Sequence, residues 1–252
     1  MNALPVAAIS FACVFGAALL GFLLRSAIPE EHLSDQTKDV VKLSMGLVAT
    51  MTALILGLLV ASAKDAYDAK KAETLQMAAR IAYLDRGLAN YGPETAGSRA
   101  LLREIVERMI AKLWPDSDSA IDLRDDLSGF RGAQLYDSIQ KLSPANDLQR
   151  SLKSQALTAT GDLGQMRWLL AEQGGSSIST SLLIIVVSWL AILFLSFALF
   201  APPNATVIAA LMIASLSVSG GILLILELDR PFDGFIKISS EPMRHTLTYL
   251  AH

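Results

Sequence analysis

Four stretches of the chain, residues 4–24, 43–63, 178–200 and 205–226, contain no charged side chain, although the sequence holds 21 basic and 24 acidic residues. Each is 21 to 23 residues long. At about 1.5 Å rise per residue, a helix of that length crosses a hydrocarbon layer roughly 30 Å thick. Hydrocarbon offers the backbone no hydrogen-bond partner, so such stretches must be helices that satisfy their own N–H and C=O groups. A hydrophobic content of 52% and a mean hydropathy of +0.44 agree with an integral membrane protein. The net charge of −3 supplies no basic patch for nucleic acid. The single cysteine, Cys13, lies inside the first stretch and forms no internal disulfide. That first stretch is too long for a signal-peptide core, lacks a basic start and is not followed by a clean small-residue cleavage site, so it is expected to be retained.

Basic residues near the span ends set the expected orientation. Lys64, Lys70, Lys71, Arg80, Arg167, Arg230, Lys237 and Arg244 lie on the side of the N-terminus, the segment between spans two and three, and the C-terminus. The other side offers Arg25, Lys38 and Lys42. The excess places both termini in the cytoplasm, although the first span, with Arg25 behind it and no basic residue before it, by itself favours the reverse.

The region from 64 to 173 carries 15 basic and 16 acidic residues and reads as a nearly neutral, mostly helical soluble segment. No Pro or Gly separates span two from Lys64 onward, so one helix is expected to run on to about Asn90, where Tyr91, Gly92 and Pro93 stop it. A second helix from about Glu94 shows Leu101, Leu102, Ile105, Val106, Met109, Ile110 and Leu113 at three-to-four spacing and closes at Trp114-Pro115. A short helix follows near 132–142. Ser143-Pro144 is expected to cap a long one with Pro at its first position. Gly174-Gly175 then allows a bend before span three. The expected fold class is therefore an all-α membrane protein of four transmembrane helices with a helical cytoplasmic domain inserted between spans two and three. Its parts are a first transmembrane hairpin (1–63), the cytoplasmic domain (64–177), a second hairpin (178–228) and a cytoplasmic C-terminal segment (229–252).

Catalytic chemistry finds no foothold. His32, His245 and His252 are scattered, no His or Cys pair has metal spacing, and neither a phosphate-binding Gly loop nor a nucleophile elbow occurs. No enzyme activity, cofactor or metal is expected. The acidic run Asp116, Asp118, Asp122, Asp125 and Asp126 fails as a calcium loop because Ala120 and Ile121 stand where a ligand and the turn Gly belong, and a solvated loop is the better reading.

Span two carries the sharper pattern. Gly46, Thr50, Ala53, Gly57 and Ala61 recur at steps of three or four, which suits either close helix packing or a helix lining a pore among copies of itself. Span four shows a second such stripe of Ser215, Ser217, Ser219, Gly220 and Gly221. Lys42 and Lys64 bracket span two at the two membrane surfaces, as anchors and as candidate pore mouths.

Two passages carry a family resemblance. Leu56-Gly57-Leu58-Leu59-Val60 is similar to the Leu-Gly-Phe-x-Val of the bestrophin pore helix, and the run Glu227-Leu-Asp-Arg-Pro-Phe-Asp-Gly234 resembles the Glu-Leu-Asp-x-Pro-Phe segment of the bacterial bestrophin-like proteins. Bestrophins are pentameric anion channels with a hydrophobic neck on the second helix. Alignment on Gly57 puts that neck at Thr50, Leu54 and Leu58, four residues apart and so on one side of a helix. Leu54 and Leu58 replace the family's two neck phenylalanines, and Met51 stands in place of its proline. The C-terminal acidic segment is reduced to Glu227, Asp229 and Asp233 with Arg230 among them, which reads as a local ion pair at a helix end in preference to a calcium clasp.

The expected function is a homo-oligomeric, pentameric channel-like protein of the bacterial cytoplasmic membrane that passes small ions, anions by the resemblance. Its partners are the bilayer, further copies of itself and small ions. The alternative is a non-conducting scaffold or sensor whose cytoplasmic helices, with the 101–113 face open, bind a partner. A secondary transporter fits less well, because no span carries an ionisable residue or a Gly/Pro break at its midplane.

Overall fold

The computed structural model describes residues 3–27, 35–114, 130–172 and 180–250, and all its regular elements there are helices. In chain order they are α1 (Ala3–Arg25), α2 (Asp35–Tyr91), a 3-10 turn (Pro93–Thr95), α3 (Ala96–Leu113), α4 (Phe130–Gln140), α5 (Asp147–Glu172), α6 (Thr180–Phe200), α7 (Ala205–Leu228) and α8 (Glu241–Tyr249). Four of them, α1, α2, α6 and α7, are long and apolar enough to cross a membrane. The acidic run from Asp116 to Asp126, the Gly174-Gly175 bend, His32 and His252 lie outside the described residues.

The chain forms two compact units. The first comprises Met1–Tyr67, Ser176–Arg230 and Gly234–Ile236. In it α1 packs along both α6 and α7. Gly21 makes the close approach possible: a Cβ there would strike the Leu195 carbonyl and lie 2.9 Å from Ala198 Cβ, so only glycine lets the two backbones meet. Val14 and Ala18 of α1, Leu59 and Ala63 of α2, Val186 and Leu190 of α6, and Ile222 and Ile225 of α7 belong to one buried apolar cluster. The guanidinium of Arg25 donates to the Ala201 carbonyl just past α6, placing a cation where that helix dipole is negative. Asn204 caps α7, its side-chain oxygen accepting from Val207 N at 2.8 Å.

The second unit comprises Asp68–Gly175, Pro231–Asp233 and Lys237–His252. The C-terminal part of α2 supplies Met77, Ile81, Leu84 and Leu88 to its interior. α2 ends at Tyr91, one residue beyond the expected stop, because Gly92 takes φ +138 and Pro93 follows. Thr95 Oγ1 lies 2.6 Å from the Leu88 carbonyl and 2.8 Å from that of Gly92, meeting carbonyls the ended helix leaves open. α3 packs against α4 and α8, which buries Leu102, Val106 and Ile110, and α4 packs against α5. Buried Asp85 receives a two-pronged contact from Arg99, at 2.7 and 3.1 Å. The Trp114 indole donates to the Ile238 carbonyl at 2.7 Å and meets the Phe232 ring edge-on at 5.4 Å.

One helix start moves. Ser143-Pro144 does not begin α5; the helix starts at Asp147, with Asn146 Oδ1 accepting from Gln149 N at 2.8 Å and Gln149 Oε1 accepting from Ala145 N at 2.7 Å. This reciprocal pair satisfies first-turn donors that Ser143 would be too early to reach.

Candidate functional site

At about 100° per residue, the membrane-length part of α2 divides into two arcs. Met45, Val48, Thr52, Ile55, Leu56, Leu59 and Ala63 point to the interior of the first unit, with Leu59 6% exposed and Thr52 and Ala63 buried. The opposite arc is uncovered within the chain. It carries Gly46, Thr50, Ala53, Gly57 and Ala61 on one flank and Leu43, Leu47, Met51, Leu54 and Leu58 through its middle and other flank. Leu43, Leu54 and Leu58 are 78%, 68% and 69% exposed. An apolar arc of this extent has no stable place in water, so hydrocarbon or another copy of the helix must cover it.

All of Gly46, Thr50, Ala53, Leu54, Gly57, Leu58 and Ala61 therefore stand together on one face. The small residues do not serve packing inside the chain: a Cβ at Gly46 or Gly57 would meet nothing within 4 Å, whereas the close contact belongs to Gly21. Thr50, Leu54 and Leu58 advance about 40° around the axis at each step of four, which keeps all three inside the open arc. The Thr50 hydroxyl lies 2.8 Å from the Gly46 carbonyl, to which it donates, so its proton stays within its own helix. Lys42 and Lys64 are exposed, Lys42 Nζ lying 3.7 Å from Asp39 and Lys64 Nζ 6.0 Å from the centre of the Tyr67 ring. Leu43, Leu47 and Met51 belong to the same face, although the sequence pattern marked none of them as a pore candidate and Met51 only as the replacement of the family's proline. Their spacing carried the signal, but an all-apolar helix does not mark which of its sides is the outer one.

The stripe on α7 splits. Ser215 and Ser219 are buried with Ile222, while Ser217 and Gly220 point outward. Within the C-terminal acidic segment, Glu227 is buried and its Oε2 accepts from Phe235 N at 2.6 Å. Gly234 sits at φ +96 against that carboxylate, and a Cβ there would collide with Oε2 and lie 3.1 Å from Cδ. Glu227 thus secures the backbone turn that follows α7; the ion pair expected at this helix end was between Arg230 and either Asp229 or Glu227. Asp229 ends α7 and is half-buried, and Asp233 is exposed. Among the described residues no three His, Cys, Asp or Glu side chains gather as a metal-holding group.

The family model described as Bestrophin-like domain matches residues 12–243. Among solved structures, the crystal structure of a bacterial bestrophin homolog from Klebsiella pneumoniae carrying the mutation I180T matches with a TM-score of 0.64 over 96% of this chain and 97% of that one, at 16% sequence identity. At that identity the match speaks for the fold. No curated protein sequence matches significantly.

Proposed function

This chain belongs to the bestrophin-like family, and from that premise we propose that it is the subunit of a homo-oligomeric ion channel in which α2 of each copy lines a central pathway. The observation that carries the proposal is the uncovered apolar arc of α2, with glycine, threonine, leucine and lysine along it and no charge between Lys42 and Lys64. With four membrane-length helices among its described residues, a monomer has too few to enclose a pathway. Copies arranged in a ring bury the small flank of one α2 beside its neighbour and turn the leucines toward the axis, giving a closed heterologous assembly. Five copies, as in the bestrophins, are the proposed number.

In this reading the first hairpin (1–63) and the second (178–228) span the bacterial cytoplasmic membrane, and 64–177 and 229–252 lie in the cytoplasm with both termini. Thr50, Leu54 and Leu58 form the neck. A ring of leucine side chains narrows and dries the pathway, which gates ions by withholding water. Anions are the proposed cargo, from the family. Lys42 and Lys64 at the two mouths raise the local anion concentration, modestly because Asp39 stands 3.7 Å from Lys42. Of the α3 face on which the scaffold alternative relies, Leu102, Val106 and Ile110 are buried within the chain, which leaves less of it to a partner protein.

Two measurements test the proposal. The mass of the complex in detergent is expected to be a small multiple of 27.0 kDa, and a monomer overturns the reading. Leu54→Ala and Leu58→Ala are expected to raise chloride flux into proteoliposomes several-fold by widening and wetting the neck. Unchanged flux in both, with the oligomer intact, removes the neck assignment.

A further inference from the structure

The second unit contains a cavity of about 270 Å³ bounded by α2, α3, α4 and α5, open to solvent on one side. Its walls are apolar, with Val106 and Met109 of α3, Leu135 of α4 and Leu163 of α5. Three glycines, Gly132, Gly161 and Gly164, keep it hollow: a Cβ at Gly161 or Gly164 would meet nothing within 4 Å, and one at Gly132 would meet Arg167 Nη1 at 4.0 Å. Arg167, half-buried, therefore lays its guanidinium against this hollow. Among the described residues Arg167 has no ion-pair partner, and neither Asp162, paired with Arg80, nor Glu104, paired with Arg108 and Arg131, lines the cavity. Tyr136 and Trp168 stand at the rim, Trp168 66% exposed.

A half-buried guanidinium at the edge of an apolar hollow is free to take an anionic ligand from that side, and a planar carboxylate matches its fork of donors best. Beyond Arg167 the lining side chains offer the Tyr136 hydroxyl, the Trp168 indole at the rim and a Thr160 hydroxyl already donated to the Ala156 carbonyl, so most of the wall suits an apolar chain, while a neutral hydrocarbon leaves the cation unanswered. A volume of about 270 Å³ holds about nine groups of water size, at about 30 Å³ each. From these observations we infer that the cavity is a binding site for a medium-chain amphipathic carboxylate, its chain against Val106, Met109, Leu135 and Leu163 and its head group on Arg167. The site is independent of the α2 face and of whether the protein conducts.

The probe is decanoate, titrated against the full-length protein in amphipol and followed by tryptophan emission and by calorimetry. Saturable binding with a blue shift of emission is expected, and Trp168→Phe removes the shift while calorimetry still records binding. Arg167→Gln weakens decanoate binding at least tenfold, and decanol binds the parent protein at least tenfold more weakly than decanoate, because both lose one charge-assisted contact. Gly164→Leu fills the open space, favours the helix and abolishes binding. Equal binding of decanol and decanoate, binding indifferent to Arg167→Gln, or no saturable binding in the assembled protein each overturns the assignment. The decanol comparison needs no variant, so it decides the matter even where a substitution fails to fold.

Discussion

Leu58 and Leu59 are neighbours in sequence with opposite surroundings, 69% and 6% exposed, and that contrast allows the two arcs of α2 to be separated by experiment. For a helix whose unfolded reference is still in lipid, removing a leucine side chain forfeits little transfer energy, since acyl chains are as apolar as the core. What remains is the void. Truncating Leu59 to alanine removes three methyl-sized groups, about 80 Å³, and at about 24 cal/mol per Å³ of unrelaxed cavity the cost is about 2 kcal/mol. Leu59 belongs to the buried cluster with Val14, Val186 and Ile222, which leaves no mobile neighbour to close the gap. Leu58→Ala opens no cavity within the subunit and is expected to change its stability by no more than about 0.5 kcal/mol. Thermal unfolding in detergent, read by tryptophan emission, is expected to fall by roughly 4–8 °C for Leu59→Ala and to stay near the parent value for Leu58→Ala. Ion flux is expected to show the reverse order, raised by Leu58→Ala and unaffected by Leu59→Ala. Equal destabilisation by the two, or equal gain of flux, refutes the division of α2 into an inner and an outer arc.

Other predictions follow from the polar contacts. Gly234→Ala forces φ +96 on a residue with a Cβ and pushes it into the Glu227 carboxylate, so the strain and the lost charge-assisted bond to Phe235 N together cost about 3–5 kcal/mol. In a double-mutant cycle on thermal stability, the cost of Gly234→Ala shrinks in a Glu227→Ala background, and strict additivity speaks against the clamp. The Tyr91 hydroxyl is buried without a partner among the described residues, and burial, aided by Glu94, raises its pKa above the ordinary tyrosine value. The folded state thus favours the neutral phenol, so this group's contribution is fully present below pH about 10 and declines as pH rises beyond it. Tyr91→Phe is expected to add about 1 kcal/mol at neutral pH and to flatten the loss of stability above pH about 10, both visible in melting curves. Asp85→Ala strands the half-buried Arg99 guanidinium, whose pKa its hydrogen bond to Asp85 raises, and is expected to cost about 2–3 kcal/mol in the same assay. Asp85→Asn, which keeps one acceptor, costs less.

Much of the architecture is local in origin and can be read from the residues. The uncharged runs become α1, α6, α7 and a central part of α2, and with no Pro and no Gly between Gly57 and Gly87, α2 continues as one helix of 57 residues that stops before Gly92-Pro93. The apolar spacing of α3 marks Leu102, Val106 and Ile110 for burial, and they are buried. The start of α5 was misplaced for a reason of competition. Ser143, Asn146 and the adjacent Pro144 all supply start signals, and Gln149, which pairs across with Ala145, decides for Asn146.

The amino-acid order by itself determined that this chain carries apolar helices of membrane length and where their uncharged runs lie, because burying an uncompensated charge or an unpaired backbone in hydrocarbon costs more than any rearrangement can recover. It did not determine which side of α2 is turned inward. A helix apolar all round has no polar face to mark the outside, and both small-residue stripes look alike as a string of letters. Shape made that choice. Gly21 lets α1 close on α6, Leu59 and Ala63 join the resulting core, and Thr50, Leu54 and Leu58 are left on the surface where another copy of the chain can reach them. The role of Glu227 was decided in the same way, because only the backbone turn at Gly234 brings Phe235 N to its carboxylate.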